Sequence, residues 1–398
     1  MQNTTRSARG SHANLFNSVA HLCSGGTRTS LAVAVSVLSF SLACPAAATP
    51  LKDGFAGAPA GAPQMPGLLS SYPVRPAWHV AGVDYAAGVP AGTVLKDPAT
   101  LNLPGVSVNL ARHVATVTGA GVVLNGYDFS LEGGWNVYVE GANDIIENCN
   151  FKVGINNQVP IQGSTSATNL SVLRSTIDGG GLGVVGNPGA VWSLISYIGN
   201  GLTARHNWLK FAPQHIIEFS GGTLIEKYNL INNMGYAPGA HPNAVQFCGG
   251  SAKNSVISYN TIYNPQPDGS GYPKMNNEDL QVEGQCTGTV LNTSMTNNVV
   301  IATAGAALTS SYLVAVRQDG GSNLVNGVNV QSNFLDSSGA YGPFYPPSGT
   351  NLVFANNMNL VTGKPLTEPA GTSQTPALRA GTNALAAHLW AGIDGGTD

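Results

Sequence analysis

A short motif recurs nine times between residues 120 and 363, and no other feature narrows the possible folds of this 398-residue chain as far. Its form is apolar, two any, a small or amide residue, one any, apolar. It fits Leu124–Tyr127–Phe129, Ile146–Cys149–Phe151, Val172–Ser175–Ile177, Ala204–Asn207–Leu209 and Ile225–Tyr228–Leu230, then Ile257–Asn260–Ile262, Met295–Asn298–Val300, Val330–Asn333–Leu335 and Val353–Asn356–Met358. A second pattern, apolar, any, apolar, any, Gly, falls between its copies: Val137–Val139–Gly141, Val159–Ile161–Gly163, Ile195–Tyr197–Gly199, Ile217–Phe219–Gly221, Val245–Phe247–Gly249, Leu280–Val282–Gly284 and, with Gln318 in an apolar slot, Val316 to Gly320. Alternation with a period of two means strands with one buried face. Short strands at steps of 21–38 residues cannot bury that face alone, but stacked coils can.

The expected fold is therefore all-β, a right-handed parallel β-helix solenoid with N- and C-terminal caps. The middle slot of the first pattern stacks Asn on Asn, whose amides can bond along the stack. Tyr127, Cys149, Ser175 and Tyr228 are expected to interrupt that ladder, leaving it continuous only in the later coils. Composition agrees: 9% of residues are charged against a usual ~25%, and 50 glycines supply the corners such a stack needs.

The two-strand signature over residues 120–362 resembles the pectate-lyase-like superfamily of parallel β-helices. That resemblance implies the fold, and a secreted protein that cleaves or binds polysaccharide. The Asn-Thr-Asp, Asp-Asp and Gly-His-Gly signatures of polygalacturonases are absent, as is the Arg-x-Pro-x-x-Arg of one pectate lyase group. The resemblance therefore points to neither group.

The chain divides on this reading into a secretory signal at 1–48, a Pro- and Ala-rich lead-in with an N-terminal cap at 49–119, the β-helix at 120–363 and a C-terminal cap or tail at 364–398, with a short helix expected from Ala377 to Ile393. The apolar run Leu31–Ala43 followed by Ala46-Ala47-Ala48 has the order of a cleaved signal. Thirteen residues fall short of the ~20 that span a bilayer, so no stable membrane anchor is expected. A secreted or periplasmic location follows. Cleavage removes three of the 17 basic residues and none of the 20 acidic ones, leaving a net charge of −6 with no basic stripe for nucleic acid. Three cysteines would remain, Cys149, Cys248 and Cys286, too few for a disulfide framework.

Alternation also places ionisable groups. Outward positions of the second pattern put Glu218, Gln246, Gln281 and Arg317 in one column, with Asp279 on the same face and Glu283 beside Asp319 in the next, at the ~4.8 Å spacing of coils. Clustered titratable groups in a weakly charged chain mark a candidate site, and on an exposed face they add little to stability. His215 and His241 begin two of these strands, with Asn243 beside them, and loops carrying Tyr272, Lys274, Tyr341 and Tyr345 can wall the stripe into a cleft whose rings suit sugars.

A polysaccharide substrate and one of two reactions fit. In β-elimination, the leading expectation, Arg317, Lys274 or His241 serves as base or neutralises a uronate, and Asp279, Glu283 and Asp319 hold a calcium ion. In hydrolysis, Glu283 with Asp319 would suit retention, and Glu218 with Asp279 or Glu283 inversion. Non-catalytic glycan binding or surface adhesion is the third reading.

Overall fold

The structure is a computed structural model that describes residues 64–373, apart from 158, 181–192, 213, 235–241, 265–275, 285–287, 305–306, 309, 319, 321–322 and 337–338. The signal segment and the Ala377–Ile393 helix lie outside the described residues. Each coil contributes three strands, and stacking of coils builds three nine-stranded sheets. The first sheet runs from Val106–Asn109 through Val114–Val117, Asn136–Val139 and Ile217–Gly222 to Leu324–Asn326; the second from Val123–Asn125 to Val353–Ala355; the third from Asp128–Phe129 to Met358–Asn359. Pairing from coil to coil is parallel throughout the second and third sheets. This is a parallel β-helix, with Val, Ile, Leu and Phe filling its interior. The second sequence pattern lies in the first sheet from Val137 to Phe247, and its last two copies lie on Asn276–Gly284 and Ser310–Gln318, which pair as a separate two-stranded parallel sheet. The first pattern straddles a corner, its leading apolar residue in the second sheet and its last in the third.

The corner explains the middle slot. One left-handed residue precedes it in each coil: Gly126, Asn148, Arg174, His206, Tyr228, Tyr259, Asn297, Ser332 and Asn356 all have φ between 45° and 71°. Two copies of the first pattern are thereby corrected by one residue. Ala204 pairs with Glu226, not Ile225, and Val330 with Phe354, not Val353. The slots belong to Asn229 and Asn357, while Tyr228 and Asn356 are corner residues. Glu226 in an apolar slot hid the true register from a hydrophobic pattern.

With that correction the ladder runs unbroken from Asn207 through Asn229, Asn260, Asn298 and Asn333 to Asn357. Each backbone N–H donates to the Oδ1 of the next at 2.9–3.1 Å, and each Nδ2 to the same atom at 3.0–3.2 Å. Nor do Ser175 and Cys149 interrupt it: Ser175 N donates to Asn207 Oδ1 (2.9 Å), Cys149 N to Ser175 Oγ (3.1 Å) and Tyr127 N to Cys149 Sγ (3.5 Å). A hydroxyl or thiol oriented along the stack accepts as an amide oxygen does. Cys149 is a free, buried thiol, and Cys248 is disulfide-bonded.

At Gly141, Gly199 and Gly221 glycine follows the alternating residues of the first sheet because a carbonyl of the previous coil lies against it. A Cβ on Gly141 would stand 1.8 Å from the Gly119 carbonyl oxygen. At the first coil, Val106–Asn109 pairs antiparallel with Val114–Val117 and covers the opening edge. Residues 64–97 do something else. They run along the flank of the third sheet against the direction of the stack, from Leu360 and Val299 (met by Leu69, Val80 and Val83) past His206, whose carbonyl accepts from Gly88 N, to Gly126 and Asp128, which bond Lys96. Trp78 packs edge-on against Tyr259 and Phe334.

Candidate functional site

Two nine-residue strands, Asn276–Gly284 and Ser310–Gln318, pair in parallel from Asn276↔Ser310 to Gly284↔Gln318. This register differs by two residues from the one that aligning Gly284 with Gly320 gives. Arg317 stands opposite Glu283, and Gln281 opposite Ala315. The expected Gln281–Arg317 column and the Glu283–Asp319 neighbour pair are corrected accordingly: Gln318 stands opposite Gly284, and Gly320 lies two residues beyond it in the chain. The earlier part of the stripe stands as expected, with Ser196 opposite Glu218 and Glu218 opposite Gln246.

Arg317 is the centre. Its Nη2 lies 2.6 Å from Glu283 Oε1 and its Nη1 3.4 Å from Glu278 Oε1. The guanidinium carbon lies 5.1 Å from the centre of the Tyr345 ring, within cation–π range. Tyr312 meets Tyr345 edge-on at 5.1 Å and Tyr341 at 5.6 Å, and Tyr341 is 70% exposed. Beneath, Glu283 Oε2 accepts from Gln281 Nε2 and, at 3.4 Å, from Gln246 Nε2. Asn243 lies within hydrogen-bonding reach of the Gln246 and Gln281 side chains. The Asp279 carboxylate accepts from Ser310 Oγ at 2.7 Å. One coil earlier, half-buried Glu218 accepts from Ser193 and Ser196 hydroxyls at 3.2 and 3.1 Å.

Burial corrects a second expectation. Glu283 is 1% exposed and Asp279 0%, while Glu278, Gln246, Gln281 and Asn243 are also buried. The stripe points away from the hydrophobic interior, yet it is a packed polar layer and not an exposed face with charges dispensable for folding. Glu278 was missed because its parity is that of inward Leu280 and Val282; the signal was a charged residue in an apolar slot.

The structure thus brings together Arg317, Glu283, Gln246, Gln281, Asn243 and Tyr345, with Tyr341 one ring further out and Glu218 a coil away. His215 is buried, with its Nε2 3.0 Å from the Gln214 amide nitrogen. His241, Tyr272, Lys274 and Asp319 lie outside the described residues. Among the described residues, no three His, Cys, Asp or Glu side chains converge as a metal site, and no helix is long and apolar enough to cross a membrane.

No family model and no curated protein matches the chain. A solved structure, the GH136 lacto-N-biosidase from Eubacterium ramulus, aligns with 66% of this chain and 51% of its own, at 10% identity and a TM-score of 0.33. The chain spans about half the length of that structure.

Proposed function

We propose that the chain is a secreted glycoside hydrolase that acts on a neutral glycan, with Glu218 and Glu283 as its carboxyl pair. The observation that carries this reading is the charge of the site. Among the described residues of the stripe, Glu218, Glu278, Asp279 and Glu283 stand against one cation, Arg317, which contacts Glu278 and Glu283. The group has a formal charge of −3, and Lys274 with Asp319 would leave that balance unchanged. Such a site repels a uronate, and its guanidinium is matched before any substrate arrives. β-Elimination needs the opposite, a cation available to the uronate carboxylate. Hydrolysis needs two carboxyl groups and no acidic sugar.

Glu218 is one coil from Gln246, which reaches Glu283. Glu218 and Glu283 stand on strands two coil steps apart, which is closer to the wide arrangement of inverting enzymes, with room for a water, than to the ~5–5.5 Å of retaining ones. Glu283, ion-paired to Arg317, takes the part of the base in this reading. Half-buried Glu218 takes that of the acid toward the leaving oxygen. Tyr341 and Tyr345 offer ring faces and edges at the mouth.

The test is turnover of neutral oligosaccharides by wild type, Glu218→Gln and Glu283→Gln. Each variant is expected to lose ~10²–10⁴-fold in rate, and the first product released by wild type is expected to carry the inverted anomer. Unchanged turnover in both variants, or an unsaturated product, would overturn the assignment.

A further inference from the structure

Glu226 sits in the second sheet on Leu224–Lys227, in the inward column otherwise made of Leu124, Ile146, Val172, Ala204, Ile257, Met295, Val330 and Phe354. Its neighbours above and below are Ala204 and Ile257. It is 0% exposed, and neither carboxyl oxygen has a hydrogen-bond partner. Its backbone is paired in the sheet on both sides, and its carbonyl accepts from Asn260 Nδ2 at 3.0 Å.

No charge compensates it. Lys227, next in sequence, extends over the Tyr228 and Tyr259 rings, 5.2 and 5.3 Å from their centres. Arg205 on the preceding strand pairs in register with Lys227, not with Glu226. The following strand, Val256–Ser258, carries no ionisable residue. In the preceding coil, Tyr197 stacks on Phe219; burial pushes its phenol up to about 12, so it remains neutral at ordinary pH. A carboxylate without a partner in an apolar interior is far costlier than the neutral acid.

We infer that Glu226 holds a proton inside the solenoid and gives it up on unfolding, so that the coil stack is built to be most stable in acidic surroundings and loses stability as the pH rises. Burial alone raises the Glu226 carboxyl from 4.5 to about 8. The sign follows from proton linkage. Below about 4.5 the folded and unfolded chains are both protonated and the contribution is fully present. Between about 4.5 and about 8 only the folded chain keeps the proton, so the unfolding constant grows tenfold per pH unit. Above about 8 the folded chain ionises too, and the dependence flattens with the loss complete.

The experiment is denaturant unfolding of the full chain, wild type against Glu226→Gln, at pH about 5, 6, 7 and 8. Glutamine keeps the shape and cannot titrate, so the comparison cancels the histidines. The ratio of the two unfolding constants is expected to rise about tenfold per unit, on the order of a thousandfold over the range. Coincident pH profiles would overturn the inference. Infrared spectra of wild type give an independent answer should the variant fail to fold: a protonated-carboxyl band at pH about 6 that disappears above about 9 is expected, and its absence at pH about 6 would refute the buried proton.

Discussion

At the scale of single residues, Arg317 has two partners that are almost wholly withdrawn from bulk solvent. Glu283 and Glu278 are 1% and 3% exposed, and removing the guanidinium would leave both carboxylates buried without their cation. Arg317→Ala is therefore expected to destabilise the fold by ~3–5 kcal/mol, as breaking buried ion pairs does, where an exposed stripe would have lost ~0–1 kcal/mol. Denaturant unfolding at neutral pH decides between these values; a midpoint like that of wild type would mean the cluster is solvated. The placement of Arg317, Glu283 and Gln246 on one face was legible because period-two alternation assigns a face without knowledge of partners. Their partners were not. Pairing depends on loop length between coils, and a two-residue excess before Gly320 moved Arg317 from Gln281 to Glu283. Glu226 and Glu278 share one lesson: a pattern built on apolar slots skips a slot filled by a charge, although such a residue is the more informative one.

At the scale of elements, the corner between the second and third sheets combines a cost with a gain. A non-glycine residue in the left-handed region is disfavoured, most for large side chains such as Tyr228 and Tyr259. The ladder residue that follows returns hydrogen bonds to the coil on either side. Asn298 accepts from Asn260 N and Nδ2 at 3.0 and 3.2 Å and donates through its Nδ2 to the Ile257 carbonyl and Asn333 Oδ1, both at 3.0 Å. Asn298→Leu would strand these groups inside the stack, an expected loss of ~1–3 kcal/mol per orphaned buried group. A thermal or denaturant midpoint equal to wild type would show that the slot does not carry the stack. The repeat was legible since each copy is local in sequence. The continuity of the ladder was not, since Ser175 and Cys149 enter it through chemistry that a search for amides does not see.

At the scale of the whole molecule, the segment 64–97 links the last coil to the first along the third sheet. A solenoid held only by neighbours can fray from either end; a strand of chain lying across many coils opposes that. Trp78 packs on Tyr259 and Phe334, and Trp78→Ala is expected to cost ~1.5–3 kcal/mol of burial, read as a lower unfolding midpoint. No change would mean that the flank segment is not a brace. Nothing local in residues 64–97 announces this path, because it is fixed by contacts with residues spread from Gly126 to Leu360.

The central claim is that the Glu218–Glu283–Arg317 stripe hydrolyses neutral glycans, and a paired assay tests it most directly. Wild type is incubated in parallel with neutral polysaccharides and oligosaccharides and with uronate polymers, with new reducing ends and ultraviolet absorbance followed together. Hydrolysis by two carboxyl groups predicts reducing ends from a neutral substrate, no absorbance from any, and loss of the signal in Glu218→Gln. Absorbance from a uronate polymer that persists in Glu218→Gln would contradict the account.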